Sequence, residues 1–254
     1  MIGIFDSGTG GMSVYREIRK VLPREKYVYF SDNAHCPYGD KSAEYVRDRG
    51  RFITRFLLDK GADVIVIACN TATAAAVSAL RAEFPDTPFI GMEPAVKPAA
   101  LGTRSGVIGV LATAGTLKGS KYLTTKGKFE DNVRIVEAVG RGFVELVEDG
   151  RLDGPETEKV VERSLRPLLD AGADTVVLGC THYPFLKDVI SRIAGEDVRV
   201  IDPAPSVARH LVDVMEERKL IRGDAAGEQD IELVSSGDPA PLERIFRMIN
   251  TERV

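Results

Sequence analysis

The chain has 254 residues, of which 44% are hydrophobic and 28% are charged, and its 34 basic and 38 acidic side chains give a formal net charge of −4 at pH 7. These values are typical of a globular protein with one large α/β domain or two smaller lobes, and they exclude a disordered chain. A slightly acidic chain offers no basic surface to a nucleic-acid backbone or an anionic membrane. We therefore expect neither as the main partner.

The amino-terminal residues indicate a cytoplasmic protein. The segment Met1-Ile2-Gly3-Ile4-Phe5-Asp6 has no basic region followed by an apolar run, so it predicts a first strand and not a signal peptide. The longest uncharged stretch, Val64–Leu80, contains four polar residues and falls short of the ~20 apolar residues that a membrane span requires. We expect no membrane span.

Short apolar segments alternate with longer helical patterns along the chain. The nine predicted strands are Ile2–Phe5, Tyr27–Phe30, Val64–Ala68, Pro88–Ile90, Gly106–Leu111, Arg134–Ala138, Thr175–Leu178, Val198–Ile201 and Ile231–Val234. The predicted helices between them are Gly11–Val21, Ser42–Lys60, Ala72–Phe84, Lys118–Tyr122, Phe143–Glu148, Pro155–Ala171, Tyr183–Ala194 and Ser206–Glu217. This alternation predicts an α/β fold with mainly parallel, doubly wound sheets that helices cover on both faces.

An internal repeat relates two parts of the chain. Residues 57–71 match residues 168–182 at a fixed offset of 111, with eight of the fifteen positions identical, and each copy carries one cysteine, Cys69 or Cys180. A repeat of this kind predicts two related α/β halves. If the halves pack about a pseudo-twofold axis, equivalent strand ends face each other across a cleft, which is where we expect the active site.

The boundaries of the two lobes are expected where proline and glycine interrupt the regular pattern. One such segment is Glu93–Arg104, and a second is Pro203–Pro205. The predicted first lobe comprises residues 1–95 and 207–254 and carries the first repeated cysteine. The predicted second lobe comprises residues 96–206 and carries the second.

Three cysteines at wide spacing, Cys36, Cys69 and Cys180, form a poor disulfide framework, so their thiols are expected to be free. A lone cysteine at a strand end is as often a small buried residue as a functional one, but duplication favours function. Cys36 has no counterpart in the repeat. We therefore interpret it as a loop residue and not as a third base.

Both repeated cysteines directly follow a predicted strand. Asn70 and Thr71 come after Cys69, while Thr181 and His182 come after Cys180. Ligands of parallel sheets bind beyond the carboxyl ends of the strands, where helix amino termini offer N–H groups to a carboxylate. The same helix field is expected to lower the pKa of each thiol. Two opposed thiols suit proton removal from one face of a carbon and proton delivery to the other face.

A dinucleotide site is an alternative interpretation of the amino terminus. Asp6-Ser7-Gly8-Thr9-Gly10-Gly11 follows the first strand, and Asp32 ends the second. The glycine spacing departs from the dinucleotide fingerprint, and the first acidic residue would repel a pyrophosphate. A further alternative is that the three glycines only supply positive φ angles to a turn.

The sequence has no pattern typical of a metal or nucleoside-triphosphate site. The three histidines, His35, His182 and His210, do not have metal-ligand spacing. The segment Gly115–Ser120 has the wrong residue order for a phosphate-binding loop. We therefore predict neither a metal nor a cofactor.

Five ordered motifs resemble those of bacterial glutamate racemases. They are Ile4-Phe5-Asp6-Ser7-Gly8-x-Gly10-Gly11, Cys36-Pro37-Tyr38-Gly39, Ala68-Cys69-Asn70-Thr71-Ala72, Ala112-Thr113-Ala114-Gly115-Thr116 and Leu178-Gly179-Cys180-Thr181-His182-Tyr183-Pro184. The resemblance implies a two-domain α/β enzyme that makes D-glutamate for peptidoglycan without pyridoxal phosphate or metal.

The resemblance also implies roles for individual residues. Cys69 would remove the α-proton from D-glutamate, and Cys180 would remove it from L-glutamate. Asp6 would assist Cys69, whereas His182, with Glu148 nearby, would assist Cys180. The implied substrate-binding residues are Asp6, Ser7, Tyr38, Gly39, Asn70, Thr71, Thr113, Thr181 and His182.

Simpler structural roles are the alternatives for several of these residues. Asn70 and Thr71 are then only helix caps, His182 is a surface residue, and Tyr38 is a packed aromatic residue in a turn. The position of the acidic helper also stays open. Glu145 precedes Glu148 by three residues on one predicted helix, so either carboxylate could face the cleft.

Two rival functions remain. An aspartate racemase would use the same pair of thiols, because the cysteines specify α-proton chemistry and not the length of the substrate side chain. A non-catalytic amino-acid-binding protein that regulates a partner such as gyrase would use the same fold, although such a protein has little need for two intact cysteines. The oligomeric state is open, with a homodimer as the candidate.

Overall fold

The computed structural model describes residues 1–93, 95–221 and 230–251. Its strands are β1 (Ile2–Asp6), β2 (Tyr27–Ser31), β3 (Val64–Ile67), β4 (Phe89–Gly91), β5 (Val107–Ala112), β6 (Arg134–Val139), β7 (Thr175–Gly179), β8 (Arg199–Ile201) and β9 (Ile231–Ser235). All nine predicted strands are present, and their ends differ from the prediction by one residue at most. The predicted α/β class is confirmed.

The strands form two sheets in which every pair of neighbours is parallel. The order is β4-β3-β1-β2-β9 in the first sheet and β6-β5-β7-β8 in the second. Read from the opposite edge, the second sheet is β8-β7-β5-β6, which has the connectivity of β4-β3-β1-β2. The repeat seen in the sequence is therefore a repeat of four strands, and β9 is an additional edge strand of the first sheet.

Helices cover both faces of the first sheet. The helices are α1 (Met12–Val21), α2 (Ala43–Asp59), α3 (Asn70–Glu83), α4 (Val96–Gly102), α5 (Ala114–Leu117), α6 (Ser120–Gly127), α7 (Phe143–Glu148), α8 (Pro155–Asp170), α9 (Lys187–Ala194), α10 (Ala204–Glu217) and α11 (Ala240–Thr251). On one face Ile4 and Val66 pack in a core with α1, α10 and α11, and on the other Phe5 and Ile67 pack with α2 and α3. In the described ranges, no helix has the length and apolar character needed to cross a membrane.

Some helix predictions were wrong in detail. The predicted interruption at Glu93–Arg104 contains α4, which tolerates Pro98 because a proline in the first turn of a helix lacks only an N–H without an intrahelical partner. Pro94 lies outside the described residues. The predicted helix Lys118–Tyr122 is divided between α5 and α6, and Tyr183–Ala194 begins as a 3-10 turn before α9. Helix α11 was not predicted.

The two repeated cysteines lie after equivalent turns. Gly61 after α2 and Gly172 after α8 have φ angles of 87° and 86°, and their N–H groups donate to the carbonyls of Leu58 (2.8 Å) and Leu169 (2.9 Å). A left-handed residue of this kind ends a helix and favours glycine. The same turn therefore leads the chain into β3 and into β7.

Candidate active site

Cys69 follows β3 after one intervening residue, Ala68, and is the N-cap residue of α3. Its buried Sγ accepts a hydrogen bond from the backbone N–H of Ala72 (3.4 Å) and donates one to Oγ of Ser7 (3.7 Å). Because the cysteine itself caps the helix, the alternative that Asn70 and Thr71 serve only as caps is wrong. Both residues lie in the first turn of α3, directly after the cysteine.

Cys180 lies directly after β7 and contacts a chain of polar groups. Its Sγ is 3.8 Å from Nδ1 of His182, and Nε2 of the same imidazole is 2.7 Å from Oε1 of Glu148. Glu148 also accepts hydrogen bonds from the N–H (2.7 Å) and the hydroxyl (3.1 Å) of Thr9. His182 is buried, so the alternative of a surface histidine is wrong. The hydrogen bonds of Glu148 therefore join Thr9, in the loop after β1, to His182, in the turn after β7.

Asp6, the last residue of β1, makes a second connection between the two sheets. Its buried carboxylate accepts hydrogen bonds from the N–H groups of Gly8 (3.3 Å) and Gly11 (3.0 Å) and from the hydroxyl of Thr181 (3.3 Å). Its influence on Cys69 is electrostatic, because the direct partner of that thiol is Ser7. Asp6 therefore lies between the loops that carry the two repeated cysteines.

The glycine-rich loop after β1 is shaped by contacts with the second half of the chain. None of Gly8, Gly10 and Gly11 has a positive φ angle, so the interpretation of this loop as a turn that needs positive φ is wrong. A Cβ atom at Gly8 would overlap the carboxylate of Glu148. A Cβ atom at Gly10 would lie 2.7 Å from Cγ of His182 and closer still to Nδ1. The loop needs glycine because catalytic candidates pack directly on its backbone.

The polar residues after β3 and β5 also meet. The hydroxyls of Thr71 and Thr113 are 2.9 Å apart, and Thr113 caps α5 by accepting the N–H of Thr116 (3.2 Å). The side-chain amide nitrogen of Asn70 is buried without a hydrogen-bond partner among the described residues. Such a donor is costly to leave unpaired, so it indicates a place where a ligand oxygen is expected.

The hydroxyl of Tyr38 belongs to a second group of polar side chains, around Asp32. Its hydroxyl donates to the buried carboxylate of Asp32, which also binds the guanidinium of Arg49 through two contacts of 2.8 Å. These contacts keep the pKa of Asp32 below its usual range in spite of burial. Asp32 therefore holds its own loop together, which argues against a ribose-binding role. Gly39 remains beside the site, where its Cβ position is 3.2 Å from Thr113.

Burial and like charges dominate the electrostatics around Cys69. Burial raises the pKa of its thiol, and the nearby Asp6 raises it further, although the N–H of Ala72 opposes the shift. Our expectation that the helix field would lower the pKa of this thiol is therefore wrong. Burial also raises the pKa of Asp6, while His182 and the N–H of Gly11 lower it. The raised pKa keeps Cys69 a protonated thiol at neutral pH.

The imidazole of His182 beside Cys180 favours its charged form, whereas the thiol of Cys69 favours its neutral form. Burial lowers the pKa of His182, but its contacts with Cys180 and Glu148 outweigh burial and raise the pKa well above its ordinary value. For Glu148, burial raises the pKa, yet the hydrogen bonds from His182 and Thr9 leave it lowered. The pair is therefore an imidazolium and a carboxylate at neutral pH.

The structure separates the two candidate acids on α7. Glu148 contacts His182, whereas Glu145 is exposed. Cys36, which was interpreted as a loop residue, also lies in this region. Its Sγ, a carboxylate oxygen of Glu148 and a ring nitrogen of His182 all lie within 4.8 Å of one another.

A cavity of about 580 Å³ is lined by the segments that follow β2, β3 and β5. It shares Gly39 and Thr71 with the predicted substrate-binding set. Its wall also carries the cations Lys41, Arg47 and Lys118. None of the three forms an ion pair within the described part of the chain.

Comparison with known proteins identifies the family of this chain. Residues 2–211 match the family described as Asp/Glu/Hydantoin racemase. The chain is 47% identical to a glutamate racemase from Stutzerimonas stutzeri, over 98% of this chain and 93% of that one. The Escherichia coli glutamate racemase structure with L-glutamate and UDP-MurNAc-ala has a TM-score of 0.86 and 34% identity, covering 98% and 94% of the chains. The Francisella tularensis enzyme with D-glutamate has a TM-score of 0.85 and 28% identity, covering 100% and 94%.

The chain belongs to the Asp/Glu/Hydantoin racemase family, and racemases are isomerases. Its duplicated parallel α/β fold carries one thiol at each equivalent strand end. Within that family its motifs and its relatives are those of the glutamate racemases. The resemblance stated from the sequence is therefore confirmed.

Proposed function

We propose that this chain interconverts L-glutamate and D-glutamate without a cofactor, with Cys69 and Cys180 as opposed acid and base, and that it supplies D-glutamate for peptidoglycan. The observation that carries the proposal is the duplicated position of the two thiols at equivalent strand ends. Hydrogen bonds from Thr181 to Asp6 and from Thr9 to Glu148, which join the loop after β1 to the residues around Cys180, support this arrangement. Relatives that match over nearly the whole chain favour glutamate as the substrate.

In the L-to-D direction, the proton of the Cys180 thiol resides on His182 as an imidazolium, which Glu148 stabilises, so that Cys180 reacts as a thiolate. The thiolate then removes the α-proton of L-glutamate. Cys69, whose raised pKa keeps it protonated, delivers a proton to the opposite face of the carbanion. The D-to-L direction reverses these steps, and the Cys69 thiolate is a strong base because burial and Asp6 oppose its charge.

Substrate groups have separate partners in this scheme. Asp6 and Ser7 would hold the ammonium group, because a buried carboxylate favours a cation. The unpaired amide of Asn70 and the hydroxyls of Thr71 and Thr113 would donate to carboxylate oxygens. The remaining predicted contacts would come from the backbone of Tyr38 and Gly39 and from the side chains of Thr181 and His182.

We also propose that the two sheets define the two lobes expected from the sequence, residues 1–95 with 207–254 and residues 96–206. Packing of α10 and α11 on α1 supports the return of the chain to the first lobe. Residues 222–229 and 252–254 of that lobe lie outside the described residues. The expected homodimer and cytoplasmic location stay predictions.

The proposal is tested by following optical activity with pure L-glutamate and pure D-glutamate in separate reactions. Aspartate is measured in parallel, and no cofactor is added. We expect both glutamate enantiomers to approach the racemate. Turnover of aspartate alone would indicate an aspartate racemase, and no turnover of either amino acid would favour the binding-protein alternative.

Glu148→Gln is expected to reduce kcat by roughly 10- to 100-fold, because the imidazolium of His182 loses its stabilising charge. The carboxylate raises the pKa of His182, so its removal lowers that pKa. The basic limb of the pH–rate profile should therefore move to lower pH. The matched control is Glu145→Gln on the same helix, which should leave the profile unchanged. An unchanged profile in Glu148→Gln would contradict the role of this residue.

The three cations that line the cavity predict that KM for glutamate depends on their charge. Lys118→Ala and Arg47→Ala should each raise KM for glutamate about 2- to 10-fold at low salt with little change in kcat. The two cations line the same cavity as Thr71, where their charge attracts a dicarboxylate. High salt should remove the difference. Lys159→Ala is the control, because this exposed lysine of α8 is not on the cavity wall. Salt-independent KM changes would argue against an electrostatic role.

A further inference from the structure

Three side chains with different donor atoms meet at the edge of the candidate active site. They are the thiol of Cys36, the carboxylate of Glu148 and the imidazole of His182, and their donor atoms all lie within 4.8 Å of one another. They come from three separate segments, namely the loop after β2, the end of α7 and the turn after β7. The proposed proton transfers use two of these residues and leave the Cys36 thiol without a function.

We propose that Cys36, Glu148 and His182 form an inhibitory binding site for a borderline divalent cation such as Zn²⁺. Thiolate sulfur, imidazole nitrogen and carboxylate oxygen are the three donor types that Zn²⁺ prefers in proteins, and a water molecule would complete a tetrahedron. Magnesium and calcium prefer sets made of oxygen alone, so the mixed set selects against them.

The spacing of the donors fits this assignment after a small adjustment. Two ligands on one tetrahedral zinc ion are roughly 3.4–3.6 Å apart, given metal–ligand distances of about 2.0–2.3 Å. The contact between His182 and Glu148 is 2.7 Å, so the ion would replace this hydrogen bond and the carboxylate would turn slightly away. The Cys36 thiol proton, and the proton shared between His182 and Glu148, would be released to solvent.

The backbone of the loop after β1 packs against two of the three donor side chains. A Cβ atom at Gly8 would lie 3.1 Å from Sγ of Cys36 and 3.1 Å from Cδ of Glu148, so the backbone of the loop is in close contact with both donors. Both side chains are only partly buried, which gives an ion a path to the site. The donors are therefore held together before any ion arrives.

Binding of the ion would stop racemisation without unfolding the protein. A metal on Nε2 of His182 replaces the hydrogen bond to Glu148, and the bound cation, one imidazole ring away from Sγ of Cys180, would stabilise the thiolate and weaken it as a base. The expected inhibition rests on the proposed function, whereas the expected binding does not. The two can therefore be tested separately.

The binding test uses Co²⁺ alone as a spectroscopic probe. We expect the wild-type chain to bind one Co²⁺ with a thiolate-to-cobalt charge-transfer band. Cys36→Ala should lose this band, with Cys36→Ser as a second variant if the first fails to fold. The Cys69→Ser/Cys180→Ser double variant should retain it. No band in the wild type, or its loss in the double variant only, would overturn the assignment.

The inhibition test titrates Zn²⁺ into the racemisation assay. Without metal, Cys36→Ala should have wild-type activity, and its half-inhibitory Zn²⁺ concentration should rise at least about 10-fold. Equal sensitivity of both proteins would overturn inhibition through this site. If the wild type shows the cobalt band but racemises no amino acid, the metal site stands and the proposed function fails.

Discussion

Cys69→Ser and Cys180→Ser are each expected to reduce glutamate racemisation by about 10²- to 10⁴-fold while the fold is retained. Each change replaces a thiol by a hydroxyl of similar size, whose much higher pKa makes it a poor acid and base at neutral pH. The two enantiomers have equal free energies, so kcat/KM must fall equally in both directions for any variant. The rate of racemisation alone therefore cannot show which thiol faces which enantiomer.

Exchange of the α-proton in D2O makes this distinction. Cys69→Ser retains the base that faces L-glutamate, so it should introduce deuterium into L-glutamate faster than into D-glutamate. Cys180→Ser should show the opposite preference. Cys36→Ser is the control and should racemise normally in the absence of metal. Near-normal racemisation by either single variant of the repeated cysteines would contradict the two-base scheme.

Gly10→Ala is expected to lower kcat/KM by roughly 10²-fold, because misplacing a catalytic group by about 1 Å has effects of this size. The new Cβ atom would overlap the imidazole of His182, which is buried and held by Glu148 and therefore cannot move freely. The side chain would be displaced from Cys180. Circular dichroism should show that the variant remains folded.

A matched control separates this effect from a general intolerance of alanine. Gly127 ends α6, its φ angle is not positive, and a Cβ atom there would meet no described atom closer than 3.9 Å. Gly127→Ala should therefore keep full activity. Equal activity of Gly10→Ala and Gly127→Ala would show that the close packing of His182 on the loop has no catalytic importance.

Local sequence patterns were sufficient to predict the strands and the positions of the two thiols. β3 and β7 are short apolar segments, and the repeated Gly61 and Gly172 mark the same left-handed turn before each of them. These signals lie within or next to the strands themselves, so the ends of the strands could be predicted from the local sequence. Helix α4 was missed because proline was read as an interruption without regard to its position in the first turn.

Contacts between distant segments could not be predicted in the same way. The hydrogen bonds of Thr9 with Glu148 join residues that are 139 positions apart, and nothing in the local sequence specifies them. The pKa of Cys69 was expected to fall, but it rises because burial depends on tertiary packing. The grouping of Cys36 with His182 likewise depends on how the two sheets pack together.

The most direct test of the two-thiol scheme is the initial racemisation of L-glutamate in D2O, with the two enantiomers separated and their α-deuterium content measured. Removal of the proton by one thiol and delivery by the other predicts D-glutamate that is almost fully deuterated, while the remaining L-glutamate is almost unlabelled. Product that retains the original proton, or equal labelling of both enantiomers from the start, would show that a single base serves both faces and would contradict the proposal.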